Sequence, residues 1–394
     1  MELSFRWYGP KDPVSLSDIR QCNADFVVTS LHQIPYGEKW TDREIKKRIN
    51  IINKQNSKDN NNLKWNVVES VPIHNNIKLR DKNYKNLINN YKDTISNIAK
   101  NKIKTICYNF MPIVDWTRTQ LDYRLPTDGL ALRFNYLQII IFEKFILKLK
   151  DIEKRYTLKQ IKKAELLFKK MKSSDLKNLK IAVMGGLPAS EKKYSIEGFK
   201  KMLKAYKNIT DTDLKENLRD FLREITPVAE ECDVKMALHP DDPPIPLFGV
   251  PRIVSNLEDY KYVLNSYNSN ANGITYCTGS LASNIDNDVY KIFQKFKNKI
   301  NFIHLRNIKI EKDKKSFYES NHLSGDVDFV KIIKMIKKEE KRRSINKKIN
   351  IPMRPDHGHS LLDDQTKKSI NPGYTAIGRM MGLSELRGII KSIN

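Results

Sequence analysis

Short apolar segments recur along the chain, and each is followed by a polar or Gly/Pro cluster and then by a helical stretch. Strands that alternate with helices in this way are typical of a parallel sheet with right-handed crossovers. Eight segments fit the strand pattern: residues 25–32, 64–71, 103–110, 179–187, 234–239, 273–278, 300–306 and 351–356. The pattern therefore predicts an α/β protein with eight strands.

The helical stretches between these segments carry apolar residues at a helical spacing. One stripe follows Asp326 and Asp328, which suit a helix N-terminus, and it consists of Phe329, Ile332, Ile333 and Ile336. A second stripe precedes the predicted fifth strand and consists of Leu214, Leu218, Phe221 and Leu222. Both stripes predict amphipathic helices that cover the sheet.

Eight strand–helix units favour a closed (β/α)₈ TIM barrel over an open sheet. The G-x-G-x-x-G fingerprint and the P-loop are both missing from the sequence, which removes the usual reasons to prefer a nucleotide fold. We predict one barrel domain over residues 1–394, with an insertion of about residues 111–178 between strands 3 and 4 that holds a loop and a helical hairpin. Residues 3–8 cap the bottom of the barrel or form an active-site loop, and both alternatives stay open.

Composition changes this picture little. The chain has 394 residues and a net charge of +25, but its Lys/Arg clusters are spread along the whole length. We interpret the charge as drift in composition, so we expect no nucleic-acid partner, although a polyanion partner is the alternative. An apolar run of membrane-spanning length and a secretory signal are missing, and the four cysteines form no C-x-x-C pair. We therefore expect a cytoplasmic protein without a membrane partner.

Four residues that can bind a metal ion end the last four predicted strands: His239, Cys277, His304 and Asp356. Functional groups of such barrels gather at the carboxyl ends of the strands, and neighbouring strands lie about 4.8 Å apart. Imidazole, thiolate and carboxylate together suit a borderline divalent metal. Each residue also has an ordinary explanation, as a hydrogen-bonded histidine, a buried thiol or a helix cap. Their occurrence on four successive strands favours a metal site.

Other polar residues lie in the loops near these strand ends. Arg306 is a candidate clamp for a substrate carboxylate, and the alternative is a salt bridge to a carboxylate such as Asp356. His322 either reaches the substrate or orders its loop through a hydrogen bond. His357 follows Asp356 and reaches the site only if the chain leaves strand geometry, which Gly358 permits. The turn at residues 371–374 either brings Tyr374 over the end of the barrel or packs it.

Long motifs that include these residues resemble the mannonate dehydratase family nearly from end to end. The motifs are FRWYGP (5–10), VVESVP (67–72), YNFMPIVDWTRT (108–119), LDYRLP (121–126), HPDDPP (239–244), CTGS (277–280), HLSGDVD (322–328), PMRPDHGH (352–359) and NPGY (371–374). The resemblance implies a xylose-isomerase-like barrel that converts D-mannonate to 2-dehydro-3-deoxy-D-gluconate in hexuronate breakdown. It also implies Fe²⁺ or Mn²⁺ as cofactor.

The resemblance carries residue roles with it. It implies His239, Cys277, His304 and Asp356 as the metal ligands, and His357 and Tyr374 as the acid/base pair, without deciding which is the base. One departure is Tyr318, where the family usually has histidine, and it bears on the loop after the predicted seventh strand. We further expect a homo-oligomer that acts on this small sugar acid.

Two other functions remain as alternatives. A metal-dependent sugar isomerase on the same barrel would usually present Glu/Asp-rich ligands and often two metals, whereas Cys277 favours one softer site. A nucleic-acid-binding barrel related to endonucleases would agree with the charge of +25. Tight, salt-dependent binding to DNA would favour that second alternative.

Overall fold

Eight parallel strands close into a barrel in the computed structural model, which describes residues 1–54, 62–186, 195–345 and 350–393. The order around the barrel is β1-β12-β9-β8-β7-β4-β3-β2. Its strands are β1 (Glu2–Arg6), β2 (Phe26–Thr29), β3 (Lys64–Glu69), β4 (Thr105–Tyr108), β7 (Lys235–Leu238), β8 (Asn272–Cys277), β9 (Ile300–His304) and β12 (Pro352–Arg354). The TIM-barrel prediction is confirmed.

A separate antiparallel sheet has the order β10-β11-β6-β5, and we call it the second sheet. Its strands are β5 (Gln120–Arg124), β6 (Leu130–Phe134), β10 (Asn307–Ile310) and β11 (Phe317–Ser320). The hairpin of β5 and β6 follows barrel strand β4, whereas β10 and β11 follow barrel strand β9. The second sheet therefore joins two segments that are far apart in the sequence.

Helices occupy most of the remaining chain. They are α1 (Leu16–Gln21), α2 (Asp42–Lys54), α3 (Asn75–Leu79), α4 (Tyr84–Lys100), α5 (Tyr136–Ile141), α6 (Leu158–Phe168), α7 (Ser173–Gly185), α8 (Ile196–Tyr206), α9 (Asp211–Glu231), α10 (Leu257–Ser266), α11 (Thr278–Ala282), α12 (Val289–Phe296), α13 (Phe329–Ile345) and α14 (Ala376–Ser392). The two predicted apolar stripes lie on α9 and α13, and their members are buried. In the part of the chain that is described, no helix is long and apolar enough to cross a bilayer.

Seven of the eight predicted strands are confirmed, and the prediction for residues 179–187 is wrong. Those of its residues that the structure describes belong largely to helix α7, while Leu187 lies outside the described residues. Leu179, Ala182 and Val183 are buried on one face, while Ile181 is exposed. A short apolar run does not distinguish a buried strand from one face of a helix, which explains the error.

Strand β1 is the eighth barrel strand, in place of the wrongly predicted one. The segment at residues 3–8 is therefore neither a bottom cap nor only a loop. It pairs in parallel with β12 and β2 and closes the barrel. Its carboxyl end brings Arg6 and Tyr8 to the end of the barrel where the candidate site lies. A long segment without barrel strands follows β4, which is the predicted third strand. This segment holds the hairpin of β5 and β6 as well as helices, and the barrel strands resume only at β7.

The barrel interior is filled by small and apolar side chains below the candidate site. Val28, Val67, Cys107, Ala237 and Phe302 form a separate buried cluster inside the barrel. The ring of Phe302 meets the imidazole of His304 edge to face, with 4.6 Å between the ring centroids. Packed side chains therefore support the polar residues at the carboxyl ends of the strands. We call this end of the barrel the barrel mouth.

Candidate active site

Three of the predicted metal ligands meet at the barrel mouth. The register pairs Cys277 with His304 on neighbouring strands, and His239 directly follows β7. One ligand atom from each of these residues lies within 4.8 Å of the other two. The Nε2 atom of His239 lies 3.2 Å from Nδ1 of His304. Parallel register alone thus brings two imidazoles and a sulfur together.

Asp356 completes this group from the chain that leaves β12. Its Oδ2 lies 3.6 Å from Sγ of Cys277, and its Oδ1 lies 3.8 Å from Nδ1 of His304. Burial raises the pKa of Asp356, but Arg354, which pairs with Asp356 at 2.6 Å, and other neighbours outweigh burial, so the pKa lies well below its usual range. Burial also lowers the pKa of His239. An ionised carboxylate and a neutral imidazole are the forms that bind a metal ion.

A second group of possible ligands consists of Glu69, Cys107 and His304. Burial raises the pKa of Cys107 well above its usual range, and its sulfur accepts a hydrogen bond from Thr275 Oγ1 at 3.3 Å. Glu69 is held by a bidentate contact with Arg354, with distances of 2.6 and 2.9 Å. A protonated thiol is a poor metal ligand, so the group around Cys277 fits a metal better than the group around Cys107.

The predicted acid/base pair is in direct contact beside this group. Nε2 of His357 lies 2.9 Å from the hydroxyl of Tyr374. Gly358 lets helix α14 approach this segment closely, because an added Cβ would lie 2.3 Å from the backbone nitrogen of Arg379. Gly373 has φ of +78°, a conformation that favours glycine, in the turn that presents Tyr374. Burial raises the pKa of Tyr374 to about 12, so its hydroxyl is protonated at neutral pH.

A cavity opens at the barrel mouth, and its lining includes His239, Asp356, His357 and Tyr374. Arg306 also lines this cavity, but it is already paired. Its Nη1 lies 2.8 Å from Oδ2 of Asp242 and 3.5 Å from Oδ2 of Asp356, and its Nη2 donates to Ser280 Oγ at 3.0 Å. The structure therefore favours the salt-bridge interpretation of Arg306. Its main partner is Asp242, in the loop after β7, rather than the expected Asp356.

Among the residues that the structure describes, His322 is not one of those that line the cavity. Its ring packs against Gly382 of α14, where an added Cβ would lie 2.1 Å from the imidazole. Burial lowers the pKa of His322 to about 4, so the ring is neutral at pH 7. These contacts agree with the interpretation that His322 orders its loop, and substrate binding by His322 stays a prediction without support from the cavity.

Two charged residues outside the predicted set contribute to this site. Glu319 on β11 contacts His357, and Arg118, just before β5, pairs with both Glu319 and Asp242 at 2.8 Å. The available signal was weak: Glu319 is the one charged residue in the four-residue strand Phe317–Ser320. Tyr318, the departure from the family pattern, is only partly buried, and its ring lies at a tilt against that of Tyr123, with 5.5 Å between the centroids. It thus lies on the opposite face of β11 from Glu319.

The fold and this cavity define a TIM-barrel protein whose candidate active site lies at the carboxyl ends of the barrel strands. Across its whole length, residues 1–394, the chain matches the family model described as D-mannonate dehydratase (UxuA). The chain belongs to this family.

Individual relatives agree with this assignment. The chain is 46% identical over 390 residues to the mannonate dehydratase of Marinomonas sp. (strain MWYL1), which covers 99% of this chain and 98% of that protein. It is 40% identical over 395 residues to that of Saccharophagus degradans, with 100% and 98% covered. The solved mannonate dehydratase of Streptococcus suis serotype 2 is 33% identical, with a TM-score of 0.76 over 100% of this chain and 93% of that chain.

Proposed function

We propose that this protein is a mannonate dehydratase that removes water from D-mannonate and yields 2-dehydro-3-deoxy-D-gluconate in hexuronate breakdown. Family membership over residues 1–394 supports the activity. The observation that carries the proposal is the contact between His357 and Tyr374 beside the group of His239, Cys277 and His304. A proton donor and a proton acceptor thus lie next to a group that can bind a metal.

The proposed cofactor is Fe²⁺ or Mn²⁺, held by His239, Cys277, His304 and Asp356. The donor chemistry fits such an ion, since two imidazoles, a sulfur and an ionised carboxylate are clustered, and all but the half-buried His239 are buried. The hydroxyl of Ser280 donates to Sγ of Cys277 at 3.1 Å, which suits a thiolate. When bound, the ion supplies a Lewis acid for the negative charge that develops on the substrate carboxylate.

His357 and Tyr374 provide the proton transfers in this proposal. The reaction breaks the C2–H bond, forms a C2–C3 double bond and expels the C3 hydroxyl as water, and the resulting enol becomes the 2-keto acid. Tyr374 is protonated at neutral pH, so it is suited to donate a proton to the leaving hydroxyl. His357 presents Nε2 on the same side and is suited to accept the C2 proton. Each role contributes about 10²–10⁴-fold to the rate.

The remaining parts of the proposal concern the setting of the enzyme. The substrate is a small sugar acid, the location is the cytoplasm and the protein is a homo-oligomer without a nucleic-acid partner. Spread of the basic residues along the chain, rather than in one segment, supports the view that the charge of +25 serves no polyanion. Size-exclusion chromatography with light scattering tests the oligomeric state, and retention on DNA at physiological salt would contradict the last point.

The experiment that tests the function uses the purified protein with Fe²⁺ or Mn²⁺ under reducing conditions. D-mannonate should give a 2-keto-3-deoxy acid, which periodate and thiobarbiturate detect as a colour. Protein treated with a chelator is the control, and elemental analysis identifies the metal. A metal-loaded protein that forms no such product would contradict the proposed activity, and full activity after complete metal removal would contradict the cofactor.

A further inference from the structure

The nitrogen of His357 that faces away from Tyr374 contacts a carboxylate of the second sheet. Nδ1 of His357 lies 2.8 Å from each carboxylate oxygen of Glu319. Both side chains are buried, with 3% and 4% of their surface exposed. The barrel therefore supplies the imidazole, and a strand outside the barrel supplies the group behind it.

This contact decides which nitrogen of His357 carries a proton. Arg118 donates to Glu319 at 2.8 Å and Arg306 lies 3.4 Å from it, so Glu319 is a carboxylate and only accepts hydrogen bonds. Nδ1 must then carry the proton. Nη1 of Arg306 also lies near Nδ1, but at 3.4 Å, and the shorter contact to Glu319 dominates. Nε2 of the neutral ring is consequently the acceptor that faces the hydroxyl of Tyr374.

Glu319 is itself held by groups from two parts of the chain. Arg118 donates to Oε1 through Nε and Nη2 at 3.3 and 2.8 Å, and Arg306 lies 3.4 Å away. The β11 backbone pairs with β10 and β6, so Glu319 lies on a strand that is bonded on both sides. The carboxylate therefore has little freedom to turn away from His357.

We propose that Glu319 is a positioning residue, which keeps the proton of His357 on Nδ1 and thereby leaves Nε2 free to accept the C2 proton of the substrate. The inference rests on the proposed function. It also gives the second sheet a role, because the sheet holds the carboxylate behind the imidazole. The competing explanation is that Glu319 only balances the charges of Arg118 and Arg306, and the two explanations predict different results.

The test replaces Glu319 by glutamine in the metal-loaded enzyme. The amide NH₂ of Glu319→Gln donates to Nδ1, which shifts the proton to Nε2 and blocks proton acceptance there. We expect kcat for D-mannonate to fall about 10²-fold, with KM changed less than about twofold and with the metal content unchanged. In a His357→Asn background, Glu319→Gln should change kcat less than about threefold, since residues that act as one unit are not additive.

Two further variants keep the result interpretable. Glu311→Gln is the matched control, because Glu311 pairs with Arg133 of the same second sheet at 2.6 Å and should leave kcat unchanged. If Glu319→Gln folds poorly, Glu319→Gln with Arg118→Gln restores the charge balance of the cluster. Low kcat in this folded double variant supports positioning, whereas wild-type kcat supports charge balance and overturns the inference.

The outcomes also separate this inference from the proposed function. A wild-type enzyme that fails to dehydrate D-mannonate contradicts the proposed function. An active wild-type enzyme whose Glu319→Gln variant keeps full kcat overturns only the role of Glu319. Equal effects of Glu319→Gln in the wild-type and His357→Asn backgrounds overturn it as well, because Glu319 would then act independently of His357.

Discussion

The barrel mouth and the second sheet supply different parts of the candidate site. Cys277 and His304 are neighbours because β8 and β9 pair in parallel, and residues at matching strand ends lie side by side. Glu319 and Arg118 meet across 201 positions of sequence, through an antiparallel sheet whose strands come from two separate segments. The metal-binding group thus follows from a repeated local rule, whereas the setting of His357 depends on long-range pairing.

The largest expected effect concerns the barrel side of this comparison. A Cys277→Ala, His304→Ala double variant should lose its bound metal and at least about 10³-fold in kcat/KM, because Lewis-acid stabilisation contributes several kcal/mol. Metal analysis and the D-mannonate assay measure both losses. Cys232→Ala, at a partly buried thiol remote from the cavity, should behave like the wild type. Full activity of the double variant would exclude these residues as metal ligands.

The next effect separates proton transfer from metal binding. His357→Ala and Tyr374→Phe should each lower kcat about 10²–10⁴-fold while the metal stays bound, since each removes one proton-transfer group. Steady-state kinetics with metal analysis measures this difference. Tyr276→Phe is the control, because it also removes a buried hydroxyl, which donates to the carbonyl of Val289 at 2.9 Å outside the cavity. Unimpaired turnover in both site variants would remove the acid/base pair.

A third prediction tests how the two regions are joined. Asp242, in a loop of the barrel mouth, pairs with Arg118 and Arg306 at 2.8 Å. Asp242→Asn should lower the free energy of unfolding at pH 7 by about 3–5 kcal/mol, because it removes the carboxylate that the two buried arginines share. Urea unfolding followed by circular dichroism measures this loss.

The same variant has a defined pH dependence. Burial raises the pKa of Asp242, but both arginines outweigh it, so the native pKa lies well below the usual value of 3.8. A carboxylate with a lowered native pKa stabilises the fold above the unfolded pKa, and this stabilisation is lost as the pH falls towards the native pKa. The difference between wild type and Asp242→Asn should therefore shrink below about pH 4. A difference that stays constant down to pH 2 would contradict this explanation.

The smallest expected effect concerns the departure from the family pattern. Tyr318→His restores the residue that the family usually has, and it should change kcat less than about twofold. The reason is that Tyr318 contacts Tyr123 on the face of β11 opposite Glu319, and such a partly buried aromatic pair contributes only about 0.5–1.5 kcal/mol. A large change in kcat would show that both faces of β11 act on the site, and the comparison would have to be revised.

The predictions from sequence were accurate where the chemistry repeats with the strands. Strand ends at His239, Cys277 and His304 were found because apolar strands alternate with polar loops, and the closed barrel follows from eight such units. The prediction for residues 179–187 is wrong because helix α7 carries a short apolar run there, and such a run does not distinguish a strand from one face of a helix. Strand β1 was missed because five residues of mixed polarity carry too little pattern.

By itself, the sequence determined the barrel, the order of the candidate metal ligands and the resemblance of the motifs around His357 and Tyr374. Only the tertiary structure decided that Arg306 is occupied by Asp242, that His322 lies outside the cavity lining and that Glu319 contacts His357. The physical reason is range. Strand periodicity and register are local and leave a pattern in the chain, whereas a buried ion pair forms between segments that only the completed fold brings together.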